Sequence, residues 1–201
     1  MEQVLGVSTM MQDMAMHLLD IVQNSISADA SAVSITITES RVNDLFAMEI
    51  SDNGIGMDKE LLKKVRSPYG TTRTTRKIGL GIPLLEGMAT QCNGTFHLAS
   101  KVGEGTIIGV SVPYSHWDRP PLGNIAETIG ALLQGSPDLS LALNYSFEDQ
   151  VFNFSSDEIK KELQDEVSLA EPEILSWIQE YIQQQIQLIQ VQGGMKNEII
   201  K

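Results

Sequence analysis

The sequence predicts an α+β protein: a two-layer sandwich whose antiparallel-rich sheet carries helices on one face, followed by a small α/β C-terminal extension. Three observations predict it. Residues 32–38 and 45–50 alternate apolar with polar side chains, the mark of strands with one buried face. Residues 14–26 place Met14, Leu18, Ile21 and Val22 at helical spacing, which turns one stripe toward a core. After further helix-forming runs at 59–65 and 79–91, the strand signature returns at 95–100 and 106–112.

Taken in order, residues 1–10 have no clear period and read as a frayed leader, and a helix covers 12–27. Strict alternation and β-branching make 32–38 a strand, and Arg41-Val42-Asn43-Asp44 turns it into the next, which stops abruptly at Asp52-Asn53-Gly54. Asp58 caps a helix over 59–65, which Ser67-Pro68 ends. The run from Tyr69 to Lys77 is too polar for a core helix and too unpatterned for a buried strand, so it reads as a mobile loop. Gly79-Leu80-Gly81 opens a helix that tolerates Pro83 in its first turn, and Asn93-Gly94 closes it. Strands 95–100 and 106–112 follow, joined by Lys101–Gly105.

Pro113 and Pro120-Pro121 mark a boundary, which divides the chain into a leader 1–10, a domain 11–119 and an extension 120–201. The extension reads as a helix at 124–134, strands at 139–146 and 150–154, and a helix capped by Ser155 or Ser156. A last helix starts at Glu171-Pro172 and reaches Val191. Its apolar stripe, from Ile174 to Ile189, suits burial within the chain or against a second subunit, so a homodimer is one expectation.

With 42% apolar and 20% charged residues, 201 residues can bury one good core. A net charge of −12 opposes a phosphate backbone, so nucleic acid is not an expected partner. Seven of the 14 Lys and Arg residues fall between Lys59 and Lys77, which points to a local anionic ligand or to a solvated helix face. Cys92 is the single cysteine, no Cys/His cluster has metal-ligand spacing, and no apolar run approaches about 18 residues. These features predict a cytoplasmic protein with no membrane insertion.

The central stretch is Glu49-Ile50-Ser51-Asp52-Asn53-Gly54-Ile55-Gly56-Met57. By itself Asp-x-Gly-x-Gly suits either a β-turn or a carboxylate held against a flat ligand that backbone approaches closely. Three further segments stand in order around it: Asp20-Ile21-Val22-Gln23-Asn24-Ser25 upstream, then Gly79-Leu80-Gly81-Ile82-Pro83 and Gly103-Glu104-Gly105-Thr106 downstream. This ordered set resembles the N, G1, G2 and G3 boxes of the GHKL superfamily, which includes gyrase, Hsp90, sensor histidine kinases and MutL. The resemblance covers roughly residues 14–114 and is nearest to the histidine kinase catalytic domain in a stand-alone bacterial ATP-binding protein. It implies the Bergerat ATP-binding fold, with ATP and Mg²⁺ as cofactors.

Under that resemblance Asp52 accepts a hydrogen bond from the adenine amine, where guanine would present an oxygen. Gly54, Gly56 and Met57 form the backbone beside the base, and Thr106 assists on the adenine side unless it is only a β-branched strand residue. Asn24 is the family's Mg²⁺ ligand, although a polar residue on a helix needs no such role. Asp20, four residues earlier on the same helical face, is either a general base for the attacking nucleophile or a partner of a magnesium-bound water. Gly79, Leu80, Gly81 and Ile82 offer backbone amides to phosphate, and Thr72, Arg73, Arg76 and Lys77 lie in a segment resembling an ATP lid. Neither a P-loop nor a Gly-x-Gly-x-x-Gly motif occurs. Histidine kinases place their phosphoacceptor on a separate helical hairpin, so His17, His97 and His116 are expected to be structural or exposed. Three functions follow as expectations: a kinase-like phosphotransferase acting on a partner protein, an ATP-gated switch with slow hydrolysis, and a non-enzymatic module stabilised by nucleotide.

Overall fold

A computed structural model of the chain describes residues 12–66, 81–164 and 167–198, with side chains described to residue 194. Six strands form one sheet in the order β3-β4-β2-β1-β5-β6. They are β1 (Ala32–Ser40), β2 (Leu45–Asp52), β3 (Thr95–Lys101), β4 (Gly105–Val112), β5 (Ser140–Phe147) and β6 (Gln150–Ser155). Every pairing is antiparallel except β1 with β5, which run parallel. The helices are α1 (Met14–Ser27), α2 (Lys59–Val65), α3 (Gly81–Gln91), α4 (Ile125–Gly135), α5 (Ser156–Glu162) and α6 (Pro172–Glu198). The α+β architecture, antiparallel-rich with helices over one sheet face, is as the alternation predicts.

Alternation fixes which face is buried. The registered row Leu98, Ile108, Ile50, Ile35, Leu143 and Phe154 crosses all six strands toward the helices. The opposite face carries short side chains such as Ser34, Thr36, Ala142 and Asn144. A one-residue slip would turn every one of these apolar side chains to water, so the register is strongly specified. Against the apolar face α1 buries Met14, Leu18, Ile21 and Val22, α3 buries Leu85 and Ala89, and α6 buries Leu175, Ile178, Ile182, Ile186 and Ile189.

Asp58 caps α2 as expected, and two further caps hold α1 and α4. Asp13 accepts from the Met16 amide, Asp58 from the Glu60 and Leu61 amides, and Asn124 from the Glu127 amide. Ser155 occupies the N-cap of α5 without a side-chain cap bond, while Ser156 Oγ accepts from the Leu141 amide and donates to the Leu139 carbonyl. The last helix continues to Glu198, two turns beyond the expected Val191, because Gly193 is buried against the Phe147 ring and packing extends it.

Beyond Pro113 the chain stays on the same sheet. The Pro121 and Leu122 carbonyls accept from the Met14 and Ala15 amides, which ties the connection to the start of α1. After α4, β5 pairs with all but the last residue of β1, from Ala32 with Ser140 to Glu39 with Phe147. Tyr145 donates to the buried Glu39 carboxylate at 2.7 Å and accepts from Gln190 of α6, also at 2.7 Å. The long helix is thereby fastened across β5 to β1, and β1 is the strand that aligns β2 and its terminal Asp52.

Candidate functional site

The end of β2, the C-terminal half of α1 and the start of α3 enclose a cavity of about 460 Å³. Ile21, Ile82, Ile108, Leu61 and Val65 supply apolar wall, and Asn24, Ser25, Asp52 and Thr106 supply the polar groups. A pocket that is mostly apolar, with a few convergent polar groups, is the usual form of a small-molecule site.

Asp52 is the last residue of β2, and both its carboxylate oxygens are held. Oδ1 accepts from the Gly54 amide at 2.9 Å and from the Thr106 amide at 3.2 Å, while Oδ2 accepts the Ser25 hydroxyl at 2.7 Å. A carboxylate oxygen has two acceptor positions, so among the described residues Oδ1 is filled and Oδ2 keeps one. Ser25 faces this way because it is on the inner side of α1, one helical turn after Ile21.

The glycines lie where side chains would collide with this arrangement. At Gly56, where φ is +66°, an added Cβ would be 2.0 Å from the Lys101 carbonyl oxygen, and at Gly105, where φ is +96°, 1.9 Å from the Asp52 carbonyl oxygen. Both positions require the left-handed backbone as well as the missing side chain. The β3–β4 turn can therefore lie directly on the loop after Asp52. Ser100 completes the junction, accepting from the Met57 amide at 2.8 Å, donating to the Gly105 carbonyl, and meeting Thr106 Oγ1 at 2.9 Å.

At the other end, Asn24 Nδ2 donates to Asp20 Oδ2 at 3.2 Å, and the Asn24 carbonyl oxygen accepts no hydrogen bond among the described residues. The same Asp20 oxygen lies against Gly81, where an added Cβ would approach it to 1.9 Å. Gly81 is the first residue of α3, so the Asp20 carboxylate sits at that helix's amide end, where negative charge is favoured.

The structure thus brings together Asp20, Asn24, Asp52, Gly54, Gly56, Met57, Gly81, Ile82 and Thr106. Thr72, Arg73, Arg76, Lys77, Gly79 and Leu80 lie outside the described residues. Ser25 and Ser100 were not singled out from sequence. Ser25 was legible in principle, being five residues after Asp20 in the same motif, but Ser100 acquires its place only through the β3–β4 register. Of the histidines, His17 is buried, His97 lies 3.2 Å from the Glu49 carboxylate, and the His116 ring accepts from the Asp118 amide. No group of three or more His, Cys, Asp or Glu suited to a metal occurs among the described residues. No helix among them is long and apolar enough to cross a membrane.

This fold and site define a class: an α+β nucleotide-binding domain whose pocket lies between one sheet end and two helices. Residues 12–116 match the family of histidine kinase-, DNA gyrase B- and HSP90-like ATPases, and the chain belongs to that family. Sensor protein DegM of Bacillus sp. (strain B21-2) is 33% identical over 96 residues, covering 48% of this chain and 26% of DegM. The non-motile and phage-resistance protein of Caulobacter vibrioides is 32% identical over 111 residues, covering 51% of this chain and 13% of that protein. Among solved structures, the catalytic domain of histidine kinase ThkA aligns over 51% of this chain and 67% of that domain, with 23% identity and a TM-score of 0.39. The chain thus spans about a quarter or less of the length of the two curated relatives. What it shares with them is a histidine kinase-like ATP-binding domain.

Proposed function

We propose that the cavity binds Mg-ATP and that the chain passes the γ-phosphoryl group to a side chain of a partner protein. The observation that carries this reading is the Asp52 carboxylate, fixed by Ser25, Gly54 and Thr106 and keeping one acceptor position on Oδ2. An exocyclic amine fills that position, whereas a guanine oxygen would face a carboxylate without a proton between them. Ile21, Ile108 and Met57 then bracket the purine ring, with the Gly56 backbone beneath it.

The donors at the far end fit magnesium. Asn24 offers a neutral carbonyl oxygen beside the Asp20 carboxylate, and Mg²⁺ typically takes one or two protein oxygens with phosphates and waters supplying the rest. Bound there, the ion would neutralise charge on the β- and γ-phosphates. Gly81 and Ile82 open α3 beside Asp20, and their amides, with Gly79, Leu80, Thr72, Arg73, Arg76 and Lys77, make up the phosphate-binding group on sequence grounds.

A second reading, slow hydrolysis that drives a conformational switch, is favoured by Asp20. Its carboxylate is oriented by Asn24 and seated against Gly81, as a base for an attacking water requires. ATP labelled on its γ-phosphate separates the readings. Label on a co-purifying protein supports transfer, and free phosphate supports hydrolysis. Retained ATP with neither product supports a module that nucleotide merely stabilises.

A further inference from the structure

Beside the cavity the helix-facing side of the sheet ends in a polar row. Asp52 of β2 pairs with Thr106 of β4, and Thr106 pairs with Ser100 of β3. Two residues further along each strand, the same face carries the apolar row Ile50, Ile108 and Leu98. The polar row is where the sheet meets the pocket, and each of its hydroxyl protons has an identifiable destination.

A serine hydroxyl has one proton and two acceptor positions. Ser100 Oγ lies 2.8 Å from the Met57 amide, 2.8 Å from the Gly105 carbonyl oxygen and 2.9 Å from Thr106 Oγ1. An amide only donates and a carbonyl only accepts, so Ser100 accepts from Met57 and gives its proton to Gly105. Two hydroxyl oxygens at that distance need a proton between them, and Thr106 has to supply it. Thr106 therefore donates to Ser100 and is left with only lone pairs for the cavity that it lines.

Ser25 also spends its proton within the protein, on Asp52 Oδ2 at 2.7 Å rather than on the more distant Ile21 carbonyl at 3.3 Å. Among the described residues, the side chains of Ser25, Asp52 and Thr106 thus present acceptors only on this side of the cavity. A matching ligand edge carries donors, and the amine of adenine carries two N–H groups on one nitrogen.

We propose that Ser100 is a positioning residue for base recognition: by taking the Thr106 proton, it fixes that hydroxyl as a second acceptor for the purine amine beside Asp52 Oδ2. Ser100 does not itself line the cavity, so it acts through Thr106. This rests on the reading of the cavity as an ATP site. Inosine, with an oxygen in place of the amine, meets two acceptors and no donor.

Calorimetric titration of the whole chain with Mg-ATP, and displacement of ATP by Mg-ITP, tests the role. The parent prefers ATP by at least about a hundredfold. Ser100→Ala frees the Thr106 hydroxyl to turn and donate to the inosine oxygen. ATP affinity then falls about fivefold, and the preference for ATP over ITP shrinks by at least about tenfold. Thr106→Val removes the acceptor and shrinks the preference as well, and adding Ser100→Ala to it changes the preference no further. The ratio is taken on one folded sample, so a loss of stability alone does not move it. A parent that prefers ATP and a Ser100→Ala variant with the same preference overturn the inference while leaving the ATP site intact. A further change of preference in the double variant also overturns it, because Ser100 would then act by another route. A parent that binds no ATP overturns the reading of the cavity and this inference with it.

Discussion

Ser25 on α1 donates its hydroxyl to Asp52 Oδ2 at the end of β2 across 2.7 Å, so the acid of the pocket is aimed by a residue 27 positions earlier. Removing the acid and removing its guide should differ in size. Asp52→Asn takes away the charge and faces the Gly54 and Thr106 amides with a weaker acceptor, and ATP affinity should fall about a hundredfold. Ser25→Ala loses one neutral donor, for which about 1 kcal/mol, or roughly fivefold, is expected. Isothermal titration of both variants with Mg-ATP checks the order, and equal losses would mean that Ser25 has another role.

Asp20 and Gly81 form a second linked pair. Asp20→Asn keeps the size of the side chain but cannot accept a proton, so nucleotide binding should be retained while turnover falls by about a hundredfold or more. Gly81→Ala forces the carboxylate away from the start of α3 by steric contact. It should lower turnover too, with little change in melting temperature, because the displaced atoms are the free end of a side chain. Initial rates of phosphate transfer or release measured beside thermal melts separate this from unfolding. Unchanged turnover in both variants would remove Asp20 from the chemistry.

Much of this site was legible in the chain. The strand ending at Asp52, the loop glycines and the spacing of Asp20 and Asn24 are local patterns, and local geometry carries them into the structure unchanged. What sequence could not supply was long-range register. The parallel pairing of β5 with β1 joins residues more than 100 positions apart, and no periodicity in either strand names its neighbour. Nor does any local pattern announce that the stretch at 113–121 is tied by backbone hydrogen bonds to the start of α1. Ser100 belongs to the pocket for a similar reason, since only the pairing of Ser100 with Thr106 brings it to the Met57 amide.

His17 gives the fold a definite acid sensitivity. Its pKa falls from the ordinary 6.5 to about 4 through burial, partly countered by the charge of Asp13. The unfolded chain therefore binds the proton more readily than the folded one between those values. Stability is complete above pH 6.5 and is lost as pH falls toward 4, by on the order of 3 kcal/mol. His17→Leu should flatten that part of the profile. Urea denaturation at a series of pH values from 7 to 4 tests this, and parallel profiles for the two proteins would contradict it.

Tyr145, Glu39 and Gln190 make a buried hydrogen-bonded chain that fastens α6 to the sheet. Burial, and after it the nearby Glu39 carboxylate, push the tyrosine's pKa upward, so the phenol stays protonated and donating at any ordinary pH. Tyr145→Phe would leave Glu39 buried without its donor and should destabilise the fold by about 1–3 kcal/mol. ATP affinity should change little, because the pocket residues lie at the other end of β2. Chemical denaturation and nucleotide titration of the same variant provide both readings.

Binding of Mg-ATP and Mg-GTP to the purified chain, compared by calorimetry, bears most directly on the central claim. A single ATP site per chain, rejection of GTP by at least about a hundredfold, and loss of the ATP signal in Asp52→Asn are the expected results. Equal affinity for the two nucleotides, or ATP binding that survives Asp52→Asn undiminished, would contradict the assignment of this carboxylate as the group that reads the base.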